Sequence, residues 1–278
     1  MKIAVLSGKG GTGKTLVSVN LAAAAGDSVY VDCDVEEPNG RLFFKPENLK
    51  TWSVSVPVPQ VDPDKCTGCR VCVEFCKYNA LAWVGDRLKI FSDLCHSCGG
   101  CSILCPEGAL TEEEREIGRI EGGSSRGVKV LTGVLNPGEA SGIPIIQELF
   151  KELKENQPVF IDCPPGSACI VMETVSVADY CVLVAEPTVF GVHNLGMVWE
   201  LTRVLGKPSG VVLNKTLAED NPAEAFCREK GIPIIGRISF EQELGLLNSE
   251  ARVAAWEADK YRELFSHLLR RVTKEAKG

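Results

Sequence analysis

Short apolar runs alternate with amphipathic stretches along most of the chain. Ile3-Ala4-Val5-Leu6 and Ser28-Val29-Tyr30-Val31 are runs of strand length, and Leu16 to Ala25 between them carries helical spacing. Strand, helix, strand in that order predicts a parallel pair joined by a right-handed crossover. After Pro38 and Asn39 the pattern fades. Residues 53–63 hold three prolines, Pro57, Pro59 and Pro63, which predict an extended linker. The alternation then resumes. Strands are predicted at Val128–Leu131, Pro158–Ile161, Tyr180–Ala185, Gly210–Leu213 and Ile232–Gly236. Helices are predicted over 142–155, 168–177, 191–206, 222–230 and 258–274. The fold class is therefore α/β, with a mainly parallel sheet covered by helices on both faces.

The gap in the pattern coincides with a change in composition. Eight of the thirteen cysteines lie between residues 66 and 105. The glutamate-rich run 112–116 and Gly122-Gly123-Ser124-Ser125 read as the exit linker. The expected division is 1–60 and 111–278 for the two parts of one α/β domain, with 61–110 as an insert. Within it, Cys66-x2-Cys69-x2-Cys72-x3-Cys76 is followed by Cys95-x2-Cys98-x2-Cys101-x3-Cys105-Pro106. This is the bacterial ferredoxin spacing, present twice. Three cysteines at two-residue gaps wrap one face of a cubane, and the fourth points at the other cluster. One 4Fe–4S cluster would take Cys66, Cys69, Cys72 and Cys105; the second would take Cys95, Cys98, Cys101 and Cys76. The stretch resembles a two-cluster ferredoxin, with Lys77 standing where the first motif usually has proline. Two zinc sites are the alternative, disfavoured by the absence of ligand histidines in the pattern; His96 reads as a neighbour of the ligands.

The first apolar run leads into Ser7-Gly8-Lys9-Gly10-Gly11-Thr12-Gly13-Lys14-Thr15, which fits G-x-x-x-x-G-K-S/T in a strand–loop–helix context. Glycines let backbone N–H groups turn around phosphate oxygens, and the helix N-terminus adds its partial positive charge. Lys14 supplies a full charge to the β- and γ-phosphates and Thr15 a hydroxyl to Mg²⁺. Lys9 is not needed to build such a loop. Lys9-Gly10-Gly11-Thr12-Gly13-Lys14-Thr15 resembles the deviant phosphate loop of the MinD/ParA/Mrp/nitrogenase-iron-protein ATPases. That resemblance implies that Lys9 reaches across a homodimer interface to the partner subunit's ATP.

Other strand ends carry further chemistry. Asp34 ends the second strand, where open α/β sheets place ligands; the resemblance implies that it orients the attacking water. Asp32 would support magnesium or the loop. Val159-Phe160-Ile161-Asp162 is a hydrophobic strand ending in an acid for the Mg²⁺ shell. Pro164-Pro165-Gly166 resembles the family's second switch, which implies that Gly166 N–H senses the γ-phosphate. Asn214 is placed to meet an adenine edge. Leu217 stands where a guanine site would need a carboxylate, which favours ATP over GTP. Glu186-Pro187-Thr188 is expected to line the base pocket. Gly138-Glu139 also agrees with the family pattern. Cys33, Cys163, Cys169, Cys181 and Cys227 sit among apolar neighbours and read as packing residues.

Composition narrows the remaining choices. The net charge of −7 makes nucleic-acid binding through a basic face unexpected. No apolar run approaches membrane-spanning length, no leader pattern precedes Lys2, and the C-terminal amphipathic stretch is expected to pack on the sheet rather than bind a membrane. A cytoplasmic location follows, and cysteines there point to clusters rather than disulfides. The first expectation is a Mg²⁺-dependent ATPase coupled to two 4Fe–4S clusters, passing electrons to a partner protein. A cluster assembly carrier of Mrp type is the alternative, although the chain lacks a C-terminal C-x-x-C. A MinD-like regulator with structural or sensing clusters is the third reading. Because the insert leaves the ATPase soon after Asp34, nucleotide state is expected to influence the clusters.

Overall fold

A computed structural model describes residues 1–153, 156–217 and 221–277. Its frame is a nine-stranded sheet. The strands among the described residues are β1 (Lys2–Leu6), β2 (Ser28–Asp32), β3 (Glu47–Val61), β4 (Leu81–Val84), β5 (Arg87–Ile90), β6 (Leu110–Ser125), β7 (Val128–Leu135), β8 (Val159–Asp162), β9 (Tyr180–Ala185), β10 (Ser209–Thr216) and β11 (Ile234–Ser239). The sheet order is β11-β10-β9-β1-β8-β2-β7-β6-β3. From β11 to β7 neighbouring strands are parallel; β6 and β3 are added antiparallel at one edge.

The parallel strands are apolar on both sides, so both faces need cover. One face takes the helices Ile143–Lys151, Cys169–Ser176, Val189–Val204 and Pro222–Lys230, with Ile145, Val171, Leu195 and Ala223 in its core. The other takes Lys14–Ala25, Gln242–Ser249 and Asp259–Glu275, with Val17, Leu244, Phe265 and Leu268 buried against Ile3, Val5 and Phe160. The C-terminal amphipathic helix thus packs onto the sheet. No helix among the described residues is long and apolar enough to cross a membrane. Residues 154 and 155, the predicted end of helix 142–155, lie outside the described residues.

The two expected linkers are strands. Residues 53–61 belong to β3, and 112–125 to β6; together they form a long hairpin running from Glu47↔Ser124 to Val61↔Leu110. The prolines misled because β3 is the outermost strand, where a missing N–H leaves no ladder bond unmade. Beneath them lies a strand signal: Val54, Val56 and Val58 alternate and are buried, with Ile117 in the same core cluster. The glutamates are exposed because β6 pairs with β7 only over Gly118–Ser125, leaving its N-terminal half as an arm paired to β3 alone. The cysteine-rich residues are carried at the tip of that arm. They contain the hairpin β4–β5, two short helices (Val71–Phe75 and Gly100–Ile103) and a small core of Ala80, Leu81, Cys101 and Leu110. The two helices touch at Gly100, where a Cβ would sit 2.2 Å from the Phe75 ring.

Asn20 ties the C-terminal part to the nucleotide-loop helix. Its Nδ2 donates to Leu16 O at 2.8 Å, and its buried Oδ1 accepts from Ala255 N at 2.7 Å. Asn20→Ala leaves a buried N–H without an acceptor. We expect it to lower unfolding free energy by about 1–3 kcal/mol, measured as a reduced urea midpoint with an unchanged slope.

Candidate functional site

The loop after β1 runs from Ser7 to Gly13, and the helix Lys14–Ala25 starts there. Gly13 has φ +96°, and a Cβ on it would lie 2.1 Å from Asn214 Nδ2. Gly8 is equally confined, since its Cβ would meet the Asn194 carbonyl at 2.4 Å. Asn214, at the end of β10, donates from Nδ2 to Thr12 O at 2.7 Å, and Lys215 Nζ donates to Gly11 O at 2.7 Å. The loop is therefore held from the neighbouring strand end. One N–H of the Asn214 amide is used in this bracing, and Lys215 braces the loop beside it.

The charged centre lies where β1, β2 and β8 end. Lys14 is buried, and its Nζ donates to Asp162 Oδ1 at 2.5 Å. Tyr30 OH donates to Asp162 Oδ2 at 2.8 Å, fixing the carboxylate from the β2 side. Asp32 accepts from Asp34 N at 3.2 Å and from Gly40 N at 2.8 Å. It supports the loop after β2, one of the two roles expected of it. Asp34 lines the open cleft.

One ammonium here faces three carboxylates. Burial works against the Lys14 charge, but Asp162, with Asp32 and Asp34 behind it, outweighs burial and holds the ammonium above its usual value. Burial, reinforced by the Asp162 charge, pushes Asp32 up to about 7. Burial also raises Asp34, against the pull of Lys14. Such a donor set suits a divalent cation, which would relieve the repulsion. Thr12 Oγ1 is buried without a hydrogen-bond partner, a polar atom available to a phosphate loop's ligand.

A cleft of about 540 Å³ opens above these groups, lined among others by Lys9, Gly10, Lys14, Thr15, Asp34 and Asn214. The residues fit a nucleotide with Mg²⁺: loop amides and Lys14 for phosphates, Thr15 and Asp162 for the cation. The far wall, Ser239 to Ala251 with Phe240, Glu241 and Asn248, was not singled out from the sequence. It is built from the end of β11 and the helix Gln242–Ser249, with no motif to mark it.

Two expected residues are engaged elsewhere. Glu186 does not line this cleft. It forms an ion pair with Lys9 and faces Lys215 at 3.7 Å. Burial raises its carboxyl, yet the hydrogen bond and charge of Lys9 outweigh that and hold it below the usual glutamate range. Thr188 caps the helix Val189–Val204, accepting from Gly191 N at 2.9 Å. Gly166 N donates to Ser7 O at 2.9 Å, which ties the segment after β8 to the phosphate loop. Cys33, Cys163, Cys181 and Cys227 are buried in the core, and burial pushes the Cys163 thiol up to about 12. Cys169, by contrast, is exposed.

At the tip of the arm the eight cysteines fall into two sets. Cys66, Cys69, Cys72 and Cys105 line one cavity with Trp83, Arg70 and Leu88. Cys76, Cys95, Cys98 and Cys101 line a second, of about 240 Å³, with Lys77, Tyr78 and His96. His96 stacks on Tyr78 with ring centroids 3.8 Å apart. Backbone amides reach sulfur in each set: Ala109 N donates to Cys105 Sγ at 3.2 Å and Ser97 N to Cys95 Sγ at 3.4 Å. Gly68 is confined by Trp83, whose ring would lie 2.8 Å from a Cβ there. Among the described residues no His, Cys, Asp or Glu side chains converge on a single-ion site. Four thiols around a cavity, with amides aimed at sulfur, fit an iron–sulfur cluster.

The phosphate loop allows a direct check. Gly13→Ala drives a methyl into Asn214 and strains a positive φ. We expect nucleotide affinity to fall more than about tenfold, roughly 1.4 kcal/mol, by fluorescent-nucleotide titration, with far-UV circular dichroism unchanged.

Comparison with known proteins agrees with this geometry. The CobQ/CobB/MinD/ParA nucleotide binding domain matches residues 3–253. An uncharacterized protein of Methanocaldococcus jannaschii is 32% identical over 221 residues, covering 77% of this chain and 80% of its own. The indolepyruvate oxidoreductase subunit IorA of Pyrococcus horikoshii is 40% identical over 69 residues, 24% of this chain and 10% of that protein. In fold, the septum site-determining protein MinD of Pyrococcus horikoshii, solved with Mg-ADP, superposes with a TM-score of 0.62 at 20% identity, covering 99% of this chain and 96% of that one. The chain belongs to the CobQ/CobB/MinD/ParA family of nucleotide-binding P-loop proteins.

Proposed function

We propose that this protein is an ATP-driven switch that carries two 4Fe–4S clusters and passes electrons to a partner protein. One observation carries the reading. Two four-cysteine cavities sit on an arm whose root strand, β6, is hydrogen-bonded into the nucleotide-binding sheet. A cysteine module on a flexible tether would be free of the ATPase; this one shares its backbone ladder. The clusters, when bound, supply one-electron chemistry. The similarity to an oxidoreductase subunit supports that use.

In this reading Lys14 and the loop amides bind the β- and γ-phosphates, Thr15 and Asp162 hold Mg²⁺, and Asp34 orients water. Lys14 would turn from Asp162 to the phosphates, and Asp162, released, would hold Mg²⁺ with Thr15. Gly166 exchanges its bond to Ser7 for the γ-phosphate. Asn214, near the loop, lies on the adenine side. Two subunits close face to face, and Lys9 leaves Glu186 for the partner subunit's ATP. Loss of the γ-phosphate reverses these exchanges and reopens the pair.

Cluster delivery is the second reading. Its support is that Cys69 and Cys98, one in each set, are solvent-exposed and so open to an acceptor.

Iron retention separates the two. Protein purified without oxygen is expected to hold about eight irons per chain, four per cluster, and to keep them under chelator whether or not Mg-ATP is present. Faster iron loss with Mg-ATP would move delivery to first place. A chain that binds only one or two zinc ions would end both. Separately, Lys9→Ala is expected to abolish ATP-dependent dimerisation in size-exclusion chromatography while keeping nucleotide affinity within about threefold, ~0.65 kcal/mol. An ATP-dependent dimer that survives the substitution would contradict the exchange of Lys9 between subunits.

A further inference from the structure

A route through side chains leads from Asp34 to one of the two cysteine sets. Val35, the next residue, accepts at its carbonyl from Leu135 N at 2.9 Å, where β7 ends. Its side chain is wedged between two glycines. A Cβ on Gly133 would lie 2.7 Å from Val35 Cγ1, and one on Gly142 would lie 2.4 Å from Cγ2. Val35 therefore packs directly on the backbone at Gly133 and Gly142, the two ends of one segment. That segment is bonded to the arm, since Asn136 N donates to Ile117 O at 2.9 Å. It also carries Glu139.

Glu139 is nearly buried and takes a two-pronged ion pair from Arg115 of β6, at 2.6 and 2.7 Å. The second guanidinium nitrogen of Arg115 also donates to Ser92 O at 3.3 Å, and Asp93 lies 3.7 Å from the first. Ser92 O is the same carbonyl that accepts from Cys95 N at 3.1 Å. Arg115 thus grips the nucleotide-side segment with one edge and the turn bearing Cys95 with the other. Cys95 belongs to the second cavity. The Cys66, Cys69, Cys72, Cys105 set meets the arm through backbone instead, Cys66 N donating to Asp62 O at 3.1 Å and Asp62 N to Ala109 O at 2.8 Å; among the described residues no side-chain ion pair ties it to the segment bearing Glu139.

We infer that Arg115 is the positioning residue through which nucleotide state reaches the second cluster site, Cys76, Cys95, Cys98 and Cys101, and that the first site is insulated from it. This rests on the reading of the insert as a two-cluster module. The physical means are a fixed positive charge and a hydrogen bond beside a ligating turn, both of which tune cluster potential. A planar, always charged guanidinium can hold both sides at once; a lysine ammonium holds them as a point charge.

The test is a potentiometric titration of the full chain, loaded with both clusters, followed by electron paramagnetic resonance with and without Mg-ATP. Cys69→Ser and Cys98→Ser assign one signal to each site. In the wild type, Mg-ATP is expected to change the reduced-to-oxidised ratio of the Cys98-dependent signal about tenfold, ~59 mV for one electron, and to leave the other signal unmoved. Arg115→Gln should abolish that shift while iron content and nucleotide affinity stay at wild-type values; Arg115→Lys should restore part of it. Should Arg115→Gln shed iron, Glu139→Gln, which leaves Arg115 on Ser92, carries the same expectation. A shift at both clusters, or one that survives Arg115→Gln, overturns the Arg115 route and leaves the switch reading standing. A wild-type protein with eight irons and no shift at either cluster overturns the coupling of the two modules, and Arg115's role with it.

Discussion

The buried pair of Lys14 and Asp162 is the interaction on which the rest of the molecule depends. An ammonium and a carboxylate both removed from water hold each other at 2.5 Å, at the meeting point of β1 and β8. Removing either partner alone would strand a buried charge, at about 3–5 kcal/mol. That penalty makes the pair exchangeable only for other charges, and ATP with Mg²⁺ offers both signs at once. The neighbouring acids sharpen the demand. Asp32 and Asp34 add negative charge that one lysine does not balance, and burial raises both carboxyls. Tyr30 and the Gly40 amide hold two of these acids in place, so the imbalance is built into the sheet rather than left to mobile side chains.

Much of this was legible from residue order. The phosphate loop, the acid ending β8 and the strand–helix alternation after residue 128 each have a spacing that follows from backbone geometry, and the structure has them at those places within a few residues. The grouping of cysteines around two cavities follows the same logic, since the repeat spacing dictates which thiols can share a loop. The failures have physical causes too. Pro57 and Pro59 suggested a linker, but an edge strand tolerates proline, and Val54, Val56 and Val58 carried a period of two beneath them. Glu186 is legible as the acid ending β9, but the partners of its carboxylate, Lys9 and Lys215, are ones no local pattern announces. Tyr30 gave no sign either, being one hydroxyl within an apolar strand.

That hairpin changes the meaning of the insert. β6 belongs at once to the sheet edge and to the arm, and β7 passes beside it on the way to the segment packed on Val35. Small displacements at the nucleotide therefore meet packed glycines and a two-pronged ion pair, not slack chain. Close packing transmits displacement because there is no free volume to absorb it.

Linkage makes this mutual: if nucleotide changes cluster potential, cluster oxidation state must change nucleotide affinity by the same factor. The most direct measurement is the dissociation constant of a non-hydrolysable ATP analogue with Mg²⁺, taken anaerobically on the intact protein with its clusters oxidised and again reduced. The account predicts two constants that differ by about tenfold, ~1.4 kcal/mol of coupling. Identical constants in the two states, with both clusters present, would contradict it.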